Sequence, residues 1–203
     1  MASIKRTWVT LFNASYAIRG VAMIESLLAH ATDQDQIVVL ADDAASQSTV
    51  AHRFRDRPLV RSVNLRELDQ IYPSLVTARS QRSLAEFYWT CASCSLGWVF
   101  ATTPCDEGVY VDADCWFLGD PRPAIDAWSR GCQATWLTPH GFATGRDDAA
   151  TTGRFCVQLL PFRREPRSQE ILSDWIAACL QDCRYRPDLC LCGDQHYLDA
   201  WPQ

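Results

Sequence analysis

An α/β fold built on a mostly parallel, Rossmann-like sheet flanked by helices is predicted by three features of the 203-residue sequence. Strand and helix patterns alternate from the start of the chain, which argues for parallel strands joined by crossover helices. The strand patterns are short, continuous apolar runs rich in β-branched residues, as expected of strands covered on both faces. One such run, Val109-Tyr-Val-Asp-Ala-Asp-Cys-Trp-Phe-Leu118, ends in two carboxylates, Asp112 and Asp114. Ligands of open α/β sheets bind beyond the carboxyl ends of the strands, so acids placed there face a ligand rather than decorate a surface.

Thr7 to Phe12 reads as the first strand. Ala17, Val21, Ile24, Leu28 and Ala31 then recur at helical spacing from Tyr16 to Ala31, with Ser15 as N-cap. Ile37 to Ala41 is a second buried strand ending at Asp42 and Asp43, Ala44 to Phe54 a helix, and Leu59 to Leu65 a third strand. The pattern loosens around Pro73, resumes as a long aromatic helix from Ser83 to Ala101, and is stopped by Pro104. After the acidic strand, Asp120-Pro-Arg-Pro starts a short helix from Ala124 to Ser129. Cys132 to Thr138 and Phe155 to Phe162 read as two further strands, and the Gly-, Thr- and Asp-rich segment from Pro139 to Gly153 as a surface loop able to cover a site. Ile171, Leu172, Trp175, Ile176, Cys179, Leu180 and Cys183 form the stripe of a last amphipathic helix, before a short one starting at Gly193.

The length suits one domain over residues 1–203. A hydrophobic share of 48% with eight Trp excludes disorder, and no apolar run nears the roughly 20 residues that span a bilayer. Integral membrane proteins are thus excluded. The net charge of -5 with dispersed Arg excludes a nucleic-acid footprint. The apolar segment after Lys5 and Arg6 is interrupted at Asn13 and Ser15, too soon for a signal peptide, so a cytoplasmic protein is expected. Ten Cys in a reducing compartment are thiols or metal ligands, not a disulfide framework. Cys91-x-x-Cys94 falls inside the aromatic helix. Cys179, Cys183, Cys190 and Cys192 are either buried thiols or a structural zinc site of unusual spacing.

Carboxylate oxygens one residue apart suit a Mn²⁺ or Mg²⁺ ion that holds a diphosphate, because such ions take one or two protein carboxylates and fill the remaining positions with phosphate and water. The alternative for Asp112 and Asp114 is a solvated strand end. Asp33-Gln-Asp35 repeats the spacing but follows a helix end, and reads as a chance repeat.

The stretches TLFNASYAIRG, VVLADD, RSLAEFYWTC, VYVDADCWFLGDP, TPH and GDQHYLDAW, in this order and spacing, resemble the nucleotide-diphospho-sugar transferases of the GT-A fold. Within that family the chain is most similar to bacterial glycosyltransferases distantly related to glycogenin and lipopolysaccharide galactosyltransferases. The match runs from about Thr7 to Trp201. The resemblance implies a hexosyltransferase-type enzyme that moves a sugar from a nucleoside-diphosphate sugar, a UDP-sugar first of all, to a hydroxyl of a glycan, lipid or protein acceptor, with retention of anomeric configuration. It implies Mn²⁺ or Mg²⁺ on Asp112 and Asp114. It places Thr10, Asn13 and Tyr16 against the nucleoside, Asp42 against the base or ribose, and Arg82 against the diphosphate. Asp194 and Gln195 then stand beside the donor sugar and acceptor, and His140 in the Thr-Pro-His motif faces the ligand. For Asp194 the alternative is an ordinary helix cap, for Asp42 a helix N-terminal charge, and for Tyr16 a core aromatic.

Two departures from the family stand out. Cys156 and Gln158 occupy positions where many relatives carry Asn and Gly. Relatives also continue past the last helix to a His-containing segment that supplies a third metal ligand. Either another residue, with His140 and His196 as first candidates, completes the coordination, or a C-terminal segment is missing, or the protein is a catalytically degenerate nucleotide-sugar-binding module. Haloacid-dehalogenase phosphatases also place a D-x-D after a strand, but near the N-terminus with Gly-Thr following, where this chain has Cys115-Trp116. Nucleotidyltransferases open with a Gly-rich loop, whereas residues 10–20 hold only Gly20.

Overall fold

The computed structural model describes residues 4–30, 35–145, 148–189 and 191–201. The chain runs from β1 (Arg6–Phe12) through α1 (Ala17–Leu28), β2 (Gln36–Ala41), α2 (Ala44–Arg53) and β3 (Val60–Asn64). A 3-10 turn at Leu65–Gln70 leads to α3 (Ser74–Gln81), α4 (Leu84–Thr102), β4 (Glu107–Val111) and α5 (Arg122–Ser129). The two-residue strands β5 (Thr138–Pro139) and β6 (Phe155–Cys156) flank α6 (Ala149–Thr152). The chain then continues into β7 (Leu159–Arg163), α7 (Pro166–Gln181) and the small hairpin β8 (Tyr185–Arg186) and β9 (Leu191–Cys192), ahead of a 3-10 helix at Gln195–Ala200.

The central sheet has five strands in the order β3-β2-β1-β4-β7, parallel except for β7. Successive residues of β1 feed opposite cores: Val9 and Leu11 pack with α4 and α7, Trp8 and Phe12 with α1, α2 and α5. Burial on both faces is why the strands read as unbroken apolar runs. Helix α4 lies deepest, with eleven buried residues and a capping box in which Ser83 and Glu86 exchange bonds. Gly20 of α1 meets the ring of Phe12 where no Cβ fits.

The ends of β1 and β4 remote from Phe12 and Val111 are fastened by charge. Arg6, 5% exposed, donates to Glu107 at 2.7 Å and 2.9 Å and to Asp126 at 2.7 Å, while the Ser129 hydroxyl donates to the other Glu107 oxygen. Arg164 donates to the carbonyls of Phe100, Thr103 and Cys105, each at 2.8 Å, and so closes the exit from α4.

Several expected boundaries differ. Ser15 does not cap α1: its N–H and hydroxyl both donate to Asn13 Oδ1, at 3.0 and 2.6 Å, and Tyr16 takes the cap position without a side-chain bond. The part of the expected helix at Ala31, and Asp33 of the repeated acid pair, lie outside the described residues. Residues 65–81, read as loose, are largely helical. The expected strand Cys132 to Thr138 is reduced to β5 and a single bridge, Thr135 to Phe162. Its neighbour is the reason. The Pro161 carbonyl points outward to Thr135 Oγ1 at 2.7 Å, and Pro has no N–H to offer on that edge, so the ladder cannot extend. Side chains satisfy the freed carbonyls instead, with Arg163 binding Gly131 and Gln133, and Ser168 binding Ala134. The expected strand Phe155 to Phe162 splits at Val157-Gln158 into β6 and β7. The last helix ends at Gln181, short of Cys183, and the segment after Gly193 is a 3-10 helix.

Replacing Arg6 by Met strands the Glu107 carboxylate, 3% exposed, in the interior. The expected cost is about 3–5 kcal/mol, read as a lower urea midpoint with unchanged slope.

Candidate functional site

Strand order reverses between β1 and β4, whose sequence neighbours lie on opposite sides, and a cleft of about 320 Å³ opens beyond their carboxyl ends. The sequence-predicted Asn13, Tyr16, Asp112, Asp114, Asp194 and Gln195 all line it. They come from three turns, after β1, after β4 and after β9. Asn13 follows β1 and its carboxamide oxygen accepts from Ser15, while Asp43 accepts the Ala14 N–H at 2.8 Å and caps α2 through Ser46 N–H at 2.7 Å. Tyr16 stands at the rim with the Arg19 guanidinium 4.8 Å from its ring centre.

Asp112 leaves β4 with its N–H on the Gln158 carbonyl at 3.0 Å, which ties the acid turn to the loop before β7. Its carboxylate accepts the Tyr110 hydroxyl at 2.9 Å. Burial pushes the Asp112 carboxyl up to about 6, and the charge of Asp114 adds to the rise against the opposing Tyr110 hydrogen bond. Asp114 itself is exposed to the cleft.

Asp194 is 5% exposed, and its carboxyl is pushed well above the usual range by burial and by Asp112. Gly193 sets its direction. With φ +58 it occupies the left-handed region, and an added Cβ would lie 2.6 Å from Trp89 Cε3. The Trp175 indole N–H donates to the Asp194 carbonyl at 3.0 Å from a cluster with Phe162 and Trp201. Asp194 precedes the 3-10 helix but does not cap it with its side chain, so helix capping does not account for the acid.

Four expectations need correction or refinement. Thr10 is fully buried inside β1, in register with Val39, and its hydroxyl has no partner; it lies too deep to reach the cleft. Arg82 donates to Thr90 Oγ1 and to the carbonyls of Cys179 at 2.7 Å and Leu180 at 2.8 Å. It is engaged on the orphan carbonyls that end α7 and does not line the cleft. His140 stacks on Phe142 at 5.1 Å, and neither it nor His196 lines the cleft. Asp42 acts at one remove: its carboxylate accepts the hydroxyl of Tyr88, a cleft residue, at 2.8 Å. Arg79, at a helix end, pairs with both oxygens of Asp69 at 3.0 Å and covers the Phe87 ring.

The sequence alone does not single out Tyr88, Trp89 or Tyr110 as cleft residues. The available signal is positional: Tyr88 and Trp89 fall off the buried stripe of α4 at its start, and Tyr110 shares a strand face with Asp112.

The donor set suits a hard divalent cation. Asp112 raises the cost of ionising Asp194, Asp114 raises that of Asp112, and among the described residues lining the cleft there is no Lys, Arg or His to compensate them. No three His, Cys, Asp or Glu side chains among the described residues gather into a protein-only metal site. A metal on Asp112 and Asp114 would therefore take its other ligands from phosphate and water. Cys179, Cys183 and Cys192 likewise form no zinc cluster, and Cys190 lies outside the described residues. The nine described cysteines are free thiols.

No known protein-family profile matches the chain. The uncharacterized proteins YfnD and YfnF of Bacillus subtilis strain 168 are each 26% identical to it, over 203 and 204 residues covering 96% and 95% of this chain. The chain spans only 61% and 64% of the length of these curated relatives. Among solved structures, mouse xyloside xylosyltransferase 1 aligns with a TM-score of 0.61 at 12% identity, over 97% of this chain and 81% of that one. The galactosyltransferase LgtC, solved with donor and acceptor sugar analogs, gives 0.54 at 16% identity, over 95% and 69%. A mannosyltransferase from Pyrobaculum calidifontis, in complex with GDP-Man and Mn²⁺, gives 0.53 at 13%, over 86% and 47%. The chain has the GT-A-like fold of nucleotide-sugar transferases.

Thr10→Val replaces a partnerless buried hydroxyl with a methyl group and should stabilise the protein by about 1 kcal/mol while leaving ligand binding unchanged. Folded Asp112 keeps its proton to about 6, where the unfolded residue loses it near 3.8. The folded state thus binds more protons across that window, and stability falls as pH rises through it. In chelator near pH 8, Asp112→Asn should unfold at higher denaturant than the parent by about 1–2 kcal/mol, a value discounted for the water the side chain retains. Near pH 4 the two proteins should coincide.

Proposed function

We propose that the protein is a divalent-metal-dependent glycosyltransferase that transfers a sugar from a nucleoside-diphosphate sugar, a UDP-sugar foremost, to an acceptor hydroxyl on a glycan, lipid or protein, with retention at the anomeric carbon. The observation that carries this reading is the convergence of Asp112, Asp114 and Asp194 on one cleft at the strand-order reversal, without a basic side chain among the described lining residues. Bound metal would supply the positive charge that a departing diphosphate needs.

Asp112 and Asp114 would hold that metal, Mn²⁺ or Mg²⁺, with Tyr110 fixing the Asp112 rotamer. Asn13, Tyr16 and the Asp42-oriented Tyr88 form the nucleoside side of the cleft. Asp194 and Gln195 face the sugar, where carboxyl and amide orient hydroxyls for attack. Among the described residues no helix is long and apolar enough to cross a membrane. With its free thiols, we place the enzyme in the bacterial cytoplasm.

A nucleotide-sugar-binding module without turnover is the second reading, favoured by a metal site with only two clear protein carboxylates. Product formation from a panel of nucleotide sugars, with Mn²⁺ and with EDTA, separates the two.

Mn²⁺ and UDP together should raise the melting temperature more than the sum of their separate effects, since each supplies ligands for the other. At ~100 times the dissociation constant the gain is about 2.7 kcal/mol. Asp114→Asn should abolish the synergy; a variant that keeps it places the metal elsewhere.

A further inference from the structure

Among the described aromatic side chains lining the cleft, Phe12 is buried against Gly20 and the three tyrosines have their places, which leaves Trp89. Trp89 lines the cavity from the start of α4, and its ring is laid against the backbone of Gly193, where an added Cβ would lie 2.6 Å from Cε3 and 2.8 Å from Cδ2. The contact exists because Gly193 has no side chain. It fixes the indole beside the two residues that follow, Asp194 and Gln195, which also line the cleft. A rigid aromatic surface thus adjoins a buried carboxylate and a carboxamide, with no basic side chain among the described residues of the lining.

That combination matches the surface of a pyranose. One face of the ring presents C–H groups that pack on an aromatic plane, while the equatorial hydroxyls seek planar acceptors and donors such as carboxylate and amide. A nucleobase also stacks on indole. The base has its own aromatic surroundings, however, in Tyr16 and Tyr88 beside Asn13 at the end of β1, whereas Trp89 is coupled to the Gly193 turn.

We propose that Trp89 is a specificity-determining residue: the platform on which the transferred sugar, an uncharged pyranose, stacks while Asp194 and Gln195 engage its hydroxyls. This rests on the nucleotide-sugar reading. The platform governs how much affinity the sugar adds to that of its nucleotide, and leaves the nucleotide's own affinity alone.

The experiment is calorimetric titration, with Mg²⁺, of UDP, GDP, UDP-glucose, UDP-galactose and GDP-mannose into the parent, Trp89→Phe and Trp89→Leu proteins. At least one nucleotide sugar should bind the parent about tenfold more tightly than its own nucleotide. Phe should retain most of that ratio and Leu should bring it near unity, with the bare nucleotide bound equally by all three. A ratio unchanged in Leu overturns the platform, as does a loss shared equally by nucleotide and nucleotide sugar, which would assign Trp89 to the base. Failure of every nucleotide to bind the parent overturns the underlying reading along with it. Binding of bare nucleotides with no sugar increment overturns the platform alone. Should Leu fail to fold, saturation-transfer NMR on the parent with the best-bound nucleotide sugar and Mg²⁺ decides the matter. Saturation of the protein's aromatic protons should pass to the pyranose C–H protons at least as strongly as to the ribose, and a silent sugar ring overturns the proposal.

Discussion

The parallel pairing of β1 with β4 is the constraint on which the rest of the molecule depends. Its register, Val9 opposite Tyr110, brings the turn after Phe12 and the turn after Val111 to the same level, so that Asn13 and Asp112 open onto one space. At the far end the same two strands are held by Arg6 and Glu107, a charged pair out of reach of water. Nε and Nη2 of Arg6 and both oxygens of Glu107 are hydrogen-bonded, which offsets part of the cost of desolvating the pair, and the pair ties together the two strands on which the cleft is built.

The opposite end of the sheet follows a different logic. There acids are gathered rather than paired with bases, and the surrounding structure holds the two most buried of them through their backbone. Asp112 is bound through its N–H to Gln158, and Asp194 through its carbonyl to Trp175. Raised carboxyl groups in a cleft mark a functional site more often than a structural one, because a fold selected only for stability would replace them. Tyr110 and Tyr88 each give a hydroxyl to one of the acids around the cleft and so limit the rotamers available before any ligand arrives.

The sheet was legible in the sequence because burial on both faces leaves strands no polar alternation to confuse with helix, as in Ile37 to Ala41. The acid pair was legible for the same reason: the carboxylates interrupt the apolar pattern where the strand ends. Arg82 was not, because a long side chain at a helix start can reach in several directions, and the carbonyls it satisfies lie about a hundred residues away at the end of α7. Thr10 failed by register, since one position along a strand separates a buried hydroxyl from the mouth of a cleft. The Cys132 to Thr138 run has strand composition, yet whether it pairs depends on the partner edge, and there Pro161 withholds a donor. Trp89 was hidden because its role depends on the contact with Gly193, which no local pattern encodes.

The bond from the Trp175 indole to the Asp194 carbonyl joins α7 to the Gly193 turn, and it has a consequence for biosynthesis. Asp112 and Asp114 leave the ribosome about eighty residues before Asp194, a lag of several seconds at about 5–20 residues per second. In that interval the nascent chain can form the β1-β2-β3 half of the sheet and dock β4, but the third acid and the tryptophan that orients it are still unmade. The emerging cleft therefore carries only two of its three carboxyl groups. The approach of Asp194 to Asp112, which pushes the Asp194 carboxyl up, comes last, once α7 and the aromatic cluster around Trp175 are available to hold it.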